Sequence, residues 1–199
     1  MELENLVQAV TDSLFVELEA SGRHVHVTGE QAMTLFGHPL TPARPLSQPG
    51  QFLARERVTL VGEKGEFRDV AVLGPERREG QVEISLTDGR VLGIAPPVRL
   101  SGDVEGTPGI VLVGSNGRVE LTQGVIAAKR HIHLTPRAAA HFGVKNGENV
   151  KLKTLTRRPV IFEDVSVRVS ERFAPFAHLD YDEANACGFC KGDLGRILK

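Results

Sequence analysis

The chain has 199 residues with 24 lysines and arginines against 25 aspartates and glutamates, so its formal net charge is −1. That length can bury the core of one large or two small domains, and the balanced charge excludes a broad basic surface for nucleic acid. No apolar run is long enough to span a membrane, and the acidic start Met1-Glu2-Leu3-Glu4 is unlike a secretory signal. We therefore expect a cytoplasmic protein that binds neither nucleic acid nor membrane.

An amphipathic helix is predicted over residues 2–14, followed by a strand over residues 16–20 whose apolar side chains alternate with acidic ones. The helix either packs on the body of the protein or docks on a partner or a shell. Packing is favoured, because no flexible linker separates the helix from the strand. The apolar positions of the helix are Leu3, Leu6, Val7, Val10 and Leu14.

A hexapeptide then occurs twice, as Arg23-His24-Val25-His26-Val27-Thr28 and as Arg130-His131-Ile132-His133-Leu134-Thr135. In a strand, residues two apart project from the same face, so each copy presents two imidazoles side by side. The repeat suggests two related halves of the chain.

A short helix is predicted after each copy. Thr28 can cap the first helix and forms a capping box with Gln31, while Thr135 caps the second, which has proline at its first position. Both helices are expected to end at a glycine with left-handed backbone, Gly37 and Gly143.

The middle of the chain reads as strands and turns. Residues 37–51 contain four prolines and predict a long loop. Asp88-Gly89 and Asn116-Gly117 are typical hairpin turns. The predicted strands of this region are 58–61, 67–73, 81–87, 110–113 and 119–121.

The C-terminal part predicts further strands at 150–155, 160–162 and 165–169. Asp180 can then cap a short helix that Gly188 ends. Cys187 and Cys190 form a single C-x-x-C, which lacks the second pair that a structural zinc site needs, so we expect two reduced thiols.

The duplicated His-x-His pairs favour metal binding over chance packing, because imidazole suits zinc, cobalt, nickel, copper or iron. Each pair needs at least a third ligand. His178 is the best candidate, since His38 lies in the proline-rich loop and His141 within a helix. Glu83 is a second candidate, although a lone glutamate on a strand is more often solvated.

Two arginines lie in the turn Gly74-Pro75-Glu76-Arg77-Arg78, and guanidinium can hold phosphate in a bidentate fork. A surface pair is the commoner role, and Arg99 is a weaker candidate of the same kind. Neither a nucleotide-binding glycine motif nor a G-x-S-x-G elbow is present, so covalent serine catalysis is not suggested.

Several further segments accompany the two histidine pairs: Leu46-Ser47-Gln48-Pro49-Gly50-Gln51-Phe52, Val72-Leu73-Gly74-Pro75, Gln81-Val82-Glu83-Ile84-Ser85, Ser101-Gly102-Asp103, Gly124-Val125-Ile126 and Asp182-Glu183-Ala184-Asn185-Ala186. On these segments and the histidine pairs, the chain resembles the PduL-type phosphate acyltransferases from about residue 16 to the C-terminus. Gly80 departs from that pattern, where threonine is expected, and Ser21-Gly22 replaces Ser-Asn.

The resemblance implies a mainly β fold of two related β-barrel domains capped by short helices. One domain would comprise 23–129, and the other 1–22 with 130–199. It also implies two divalent metal ions, most simply zinc, and a phosphate-binding catalytic arginine at Arg77. The implied ligands are His24, His26 and Glu83 for one ion, and His131, His133 and His178 for the other.

The implied activity is acyl exchange between coenzyme A and inorganic phosphate, through acetyl or propanoyl phosphate, in a cytoplasmic homodimer. In the expected mechanism the coenzyme A thiolate attacks directly, without an acyl-enzyme, while Arg77 and a metal hold the acyl phosphate. The alternatives are a dimetal hydrolase of an ester or phosphate, and a non-catalytic module that binds metal or a microcompartment shell.

Overall fold

The computed structural model describes residues 14–199. The predicted N-terminal helix lies outside these residues except for its last position. Within the described part of the chain, no helix combines the length and apolar character needed to cross a membrane.

The described chain is mainly β, with fifteen strands and four short helices. The strands are β1 (Val16–Ser21), β2 (His24–His26), β3 (Pro42–Pro45), β4 (Phe52–Val61), β5 (Glu66–Gly74), β6 (Gln81–Glu83), β7 (Val98–Arg99), β8 (Ile110–Val113), β9 (Arg118–Leu121), β10 (Val125–Ala128), β11 (His131–Leu134), β12 (Asn149–Leu155), β13 (Ile161–Val169), β14 (Phe176–Asp180) and β15 (Leu194–Leu198). The helices are α1 (Gly29–Phe36), α2 (Leu86–Leu92), α3 (Pro136–Phe142) and α4 (Tyr181–Cys187).

The chain divides into two compact units, and the first contains residues 14–21 and 130–199. Its six strands close into a barrel in the order β1-β14-β11-β13-β12-β15. Alternate side chains of these strands fill the barrel, and Leu18, Ile132, Leu152 and Leu179 are almost completely buried there.

The second unit, Gly22–Lys129, is built on a nine-stranded sheet. Its strands follow the order β7-β10-β6-β2-β5-β4-β8-β9, with β3 paired to β4, and the sheet curls into a half-barrel. Val25, Leu60, Val72 and Leu112 form the centre of its core and have no exposed surface. The predicted mainly β class with short helical caps is thus confirmed. The domain bounds expected from the sequence stay a prediction.

The caps predicted for three helices are present. Thr28 accepts a hydrogen bond from the Gln31 amide in a capping box, Thr135 caps α3, and Asp180 pairs with Glu183 at the start of α4. Each helix ends at a glycine in the left-handed region, with φ between 64° and 79°.

Two predictions of local structure were wrong. Residues 81–87 do not form one strand before a turn: β6 ends at Glu83, and Ser85 caps α2, which contains Asp88-Gly89. The capping box of Ser85 with Asp88 therefore outweighs the alternating pattern. The loop 37–51 contains the exposed strand β3, whose prolines are tolerated because it lies outside the main strand order.

Candidate metal centres and phosphate site

The two histidine strands occupy equivalent places in their sheets. β2 runs antiparallel to β6, with His24 opposite Glu83, and β11 runs antiparallel to β14, with His131 opposite His178. The residue across from the first histidine of each pair is therefore a potential third ligand in both units. Antiparallel pairing sets these side chains on one face at close range.

We name His24, His26 and Glu83 the Glu83 triad. One potential ligand atom from each side chain lies within 4.8 Å of the other two. The Glu83 carboxylate is 3.6 Å from His24 Nε2 and 4.0 Å from His26 Nε2. All three side chains are buried. Two imidazoles and a carboxylate are a donor set that fits a divalent transition metal and leaves a position for substrate.

Backbone carbonyls orient both imidazoles of this triad. His24 Nδ1 lies 2.8 Å from the Gly22 oxygen, and His26 Nδ1 lies 3.2 Å from the Leu73 oxygen. A ring that donates from Nδ1 carries its lone pair on Nε2, so both Nε2 atoms are available as ligands.

Charges within the triad displace its pKa values. Burial by itself lowers the pKa of His24, but the Glu83 carboxylate and the Gly22 carbonyl raise it above its usual 6.5. Burial, the charge of His24 and the charge of Arg77 hold the pKa of His26 well below the usual value. Although burial opposes it, His24 and His26 lower the pKa of Glu83 far below its ordinary range. The carboxylate is thus ionised and able to bind a cation.

The His178 triad consists of His131, His133 and His178, whose potential ligand atoms also lie within 4.8 Å of one another. The rings of His131 and His178 stack with centroids 5.0 Å apart, and the His133 ring meets both at steep angles. Both ring nitrogens of His133 are buried. Three imidazoles also fit a divalent transition metal.

A carboxylate from β1 supports this second triad. Glu19 lies opposite His178 in the parallel β1–β14 pair, and its Oε2 is 3.5 Å from His178 Nδ1. A carboxylate behind a histidine fixes the ring and increases its basicity, which leaves Nε2 as the ligand atom.

Arg77 lies in the unit that contains the Glu83 triad, and its charge acts on both histidines there. Its Nη1 donates to Ser101 Oγ at 3.0 Å. Gln81 Nε2 donates to the same oxygen at 2.9 Å and to Glu83 Oε1 at 2.5 Å. A partly buried hydrogen-bond network thus connects the candidate phosphate-binding arginine with a candidate metal ligand.

The other histidines and the cysteines considered in the sequence belong to neither triad. His38 is exposed beside Glu56, His141 is exposed on α3, and Arg99 forms an exposed ion pair with Asp103 at 2.9 Å. Cys187 and Cys190 are thiols.

Gly80, where the family resemblance led us to expect threonine, faces the cap of α1. A Cβ there would lie 2.7 Å from Gln31 Oε1.

Sequence reasoning missed the roles of Gln81 and Ser101. Gln81 Oε1 also accepts the Gly102 amide at 2.7 Å, so it holds the turn that carries Ser101 beside Arg77. The signal available was the alternation of β6, which places Gln81 on the same face as Glu83.

The fold and site together define a mainly β protein with a duplicated, largely buried candidate metal centre and an arginine beside one copy. The family model described as phosphate propanoyltransferase matches residues 17–190, and the chain belongs to that family. It is therefore an enzyme of the acyltransferase class.

Curated relatives support this assignment over nearly the full length. The chain is 55% identical over 185 residues to the phosphate propanoyltransferase of Enterococcus faecalis, covering 92% of this chain and 88% of the relative. It is 50% identical over 199 residues to that of Clostridioides difficile, covering 99% and 95%. The Leptotrichia buccalis protein of the same name is 52% identical over 200 residues, covering 100% and 94%.

Proposed function

We propose that this enzyme interconverts acyl-CoA plus inorganic phosphate with acyl phosphate plus coenzyme A, for acetyl or propanoyl groups. The observation that carries the proposal is the network joining Arg77 to the Glu83 triad, in a chain whose relatives are named phosphate propanoyltransferases. An arginine fork recognises phosphate, and the neighbouring triad can hold a cation.

We propose further that the Glu83 and His178 triads each bind one divalent ion, zinc in the simplest case. The oriented Nε2 atoms and the ionised Glu83 support this assignment. A bound ion would supply positive charge that stabilises a thiolate or a phosphoryl oxygen.

Arg77 is the proposed phosphate-binding and catalytic residue. Ser101 accepts one of its N–H groups, which fixes the guanidinium and leaves other donors for phosphoryl oxygens. Charge on the phosphate oxygens grows as the acyl bond breaks, so this contact becomes stronger in the transition state.

In the proposed reaction the coenzyme A thiol gives its proton to solvent water, and the thiolate attacks the carbonyl carbon of the acyl phosphate. A carbon–sulfur bond forms, the carbon–oxygen bond to phosphate breaks, and phosphate leaves with the electron pair. Because both substrates react directly, no acyl-enzyme forms. Ping-pong kinetics with an acylated protein would contradict this route.

The domains proposed for this chemistry are 23–129, and 1–22 with 130–199. We also propose a homodimeric, cytoplasmic enzyme without a microcompartment shell as partner. Size-exclusion chromatography with light scattering measures the oligomeric state, and fractionation of the producing cells measures the cellular location.

The test follows the coenzyme A thiol after addition of propanoyl phosphate, before and after a chelator removes metal and after zinc is restored. We expect thiol loss that disappears with the chelator and returns with zinc. Consumption of acyl phosphate with unchanged thiol would identify a hydrolase and overturn the proposal. Thiol loss that continues in the presence of the chelator would support the acyltransferase activity but contradict the metal sites.

A further inference from the structure

The arginine that precedes each histidine pair makes the same cross-link in both units. Arg23 Nε and Nη2 donate to the two carboxylate oxygens of Asp88 at 3.1 and 2.7 Å. Arg130 Nη1 donates to Glu183 Oε1 at 2.7 Å. Asp88 and Glu183 occupy the same position, the third residue of the helix that follows the strand of the third ligand.

Each arginine makes a second contact, with a phenylalanine in the strand that pairs in parallel with its histidine strand. The guanidinium carbon of Arg23 is 4.1 Å from the centroid of the Phe67 ring, and that of Arg130 is 5.8 Å from the centroid of the Phe162 ring. Both phenylalanines begin the same pattern, F-x-D-V-x-V, at residues 67–72 and 162–167.

This pattern is structurally as well as chemically repeated. Its aspartates, Asp69 and Asp164, have left-handed backbone with φ of 56° and 54°. Two residues later in each copy the strand pairs in parallel with a histidine strand, Ala71 opposite His24 and Ser166 opposite His131. Each arginine is therefore bound to the strand on one side of the histidines and to the helix that follows the strand on the other side.

The carboxylate that each arginine binds, Asp88 or Glu183, also caps the start of its own helix. Asp88 Oδ2 accepts the Ser85 amide at 3.3 Å, and Glu183 Oε2 accepts the Asp180 amide at 3.1 Å. Each capping residue comes two positions after the third ligand, Glu83 or His178. A shift of the helix start would therefore move the ligand itself.

We propose that Arg23 and Arg130 are positioning residues that set the third ligand of each triad against its histidine pair. The proposal rests on metal binding by the triads and extends it to residues that touch no metal. The side chains of Asp88 and Glu183 are 7% and 16% exposed, so these charge-assisted hydrogen bonds are shielded from solvent. Metal affinity depends on such supporting contacts, whose loss commonly costs about 10–100-fold.

The experiment measures cobalt(II) affinity by competition with a chelator, together with the visible spectrum of the bound ion and the melting temperature of the metal-free protein. In a His131→Ala background, the Glu83 triad is the remaining complete triad. There, Arg23→Gln should weaken cobalt binding about 10–100-fold and alter the spectrum, while Arg130→Gln should change neither. In a His24→Ala background the two arginine variants should exchange roles.

Two exposed ion pairs provide matched controls. Arg68 pairs with Glu66 at 2.7 Å in the half-barrel unit, and Lys151 pairs with Glu163 at 2.7 Å in the barrel. Arg68→Gln and Lys151→Gln each remove one charge from an ion pair as short as those of Arg23 and Arg130. Both variants should leave cobalt affinity unchanged.

Arg23→Lys and Arg130→Lys keep the positive charge and serve if a glutamine variant does not fold. They should bind cobalt with affinity between that of the wild type and that of a glutamine variant. A folded variant with a lower melting temperature but wild-type affinity and spectrum would show a merely structural role and overturn the proposal. A wild-type protein that binds no metal would overturn the metal sites and, with them, the positioning role.

Discussion

The two triads share one framework but differ in one residue. In the half-barrel unit the residue opposite the first histidine is Glu83, whereas in the barrel it is His178. The Glu83 triad contributes a negative charge of its own and has Arg77 nearby. The His178 triad consists of three imidazoles, and its nearby carboxylate, Glu19, lies behind the His178 ring.

This difference of one residue gives the two triads different charges. With a divalent ion, the Glu83 triad would carry a net charge of about +1 and the His178 triad about +2, counting neutral imidazoles. A more positive centre lowers the pKa of a bound thiol or water further. Arg77 restores positive charge beside the first triad, in the form of donors suited to phosphate.

Loss of a ligand should produce the largest effect. We expect His131→Ala and His178→Ala to reduce turnover more than about 100-fold, beyond the loss typical of a supporting contact. Zinc content should fall from two ions to one with the fold retained, because neither side chain belongs to the hydrophobic core. Elemental analysis, circular dichroism and the thiol assay measure these outcomes. Wild-type activity in a variant with one zinc would show that the two triads are not both required.

Loss of Arg77 should impair phosphate binding without removing metal from either triad. Arg77→Ala is expected to raise the KM for phosphate and acyl phosphate and to lower kcat, together by about 10–100-fold in kcat/KM, because a charged hydrogen bond that strengthens in the transition state is lost. Zinc content should remain at two. Arg78→Ala is the matched control, since Arg78 is exposed in the same turn. Equal losses in both variants would remove the special role of Arg77.

Ser101→Ala should have a smaller effect on the same site. The hydroxyl accepts from Arg77 and Gln81, so its loss loosens the guanidinium without removing it. We expect kcat/KM to fall about 3–10-fold, less than for loss of Arg77 because the guanidinium itself remains, with the KM for coenzyme A unchanged. Steady-state kinetics provide the measurement, with Ser115→Ala in an exposed turn as control. A change confined to the KM for coenzyme A would place Ser101 elsewhere in the reaction.

The charge difference predicts a small pH effect in the metal-free protein. The lowered pKa of Glu83 stabilises the fold above pH 4.5, and this contribution is lost as the pH falls through the lowered value. The raised pKa of His24 stabilises the fold below pH 6.5, and this contribution is lost as the pH rises through the raised value. The pairing of Glu83 with His24 therefore stabilises the fold most between pH 4.5 and 6.5.

Glu83→Gln should lower the melting temperature of the chelator-treated protein by about 2–4 °C more near pH 5.5 than near pH 8. Differential scanning calorimetry measures this difference. Lys151→Gln, which breaks an exposed pair in the barrel, should show none. A decrement for Glu83→Gln that is equal at both pH values would contradict the charge pairing with His24.

The sequence by itself determined the repeat, the caps of three helices and the family. These features are local: alternation sets the face of a strand, a hydroxyl or carboxylate caps the first turn, and glycine allows a left-handed end. Residues 81–87 show where local patterns conflict, because alternation predicted a strand and the Ser85 capping box formed a helix.

Only the tertiary structure decided which distant residues meet. The sequence separates His131 from His178 by 47 positions, and antiparallel pairing of β11 with β14 sets them opposite each other. The joint contacts of Arg23 with Asp88 and Phe67 likewise depend on strand order. A chain's local preferences do not specify which strands become neighbours, because that choice depends on burying the whole core at once.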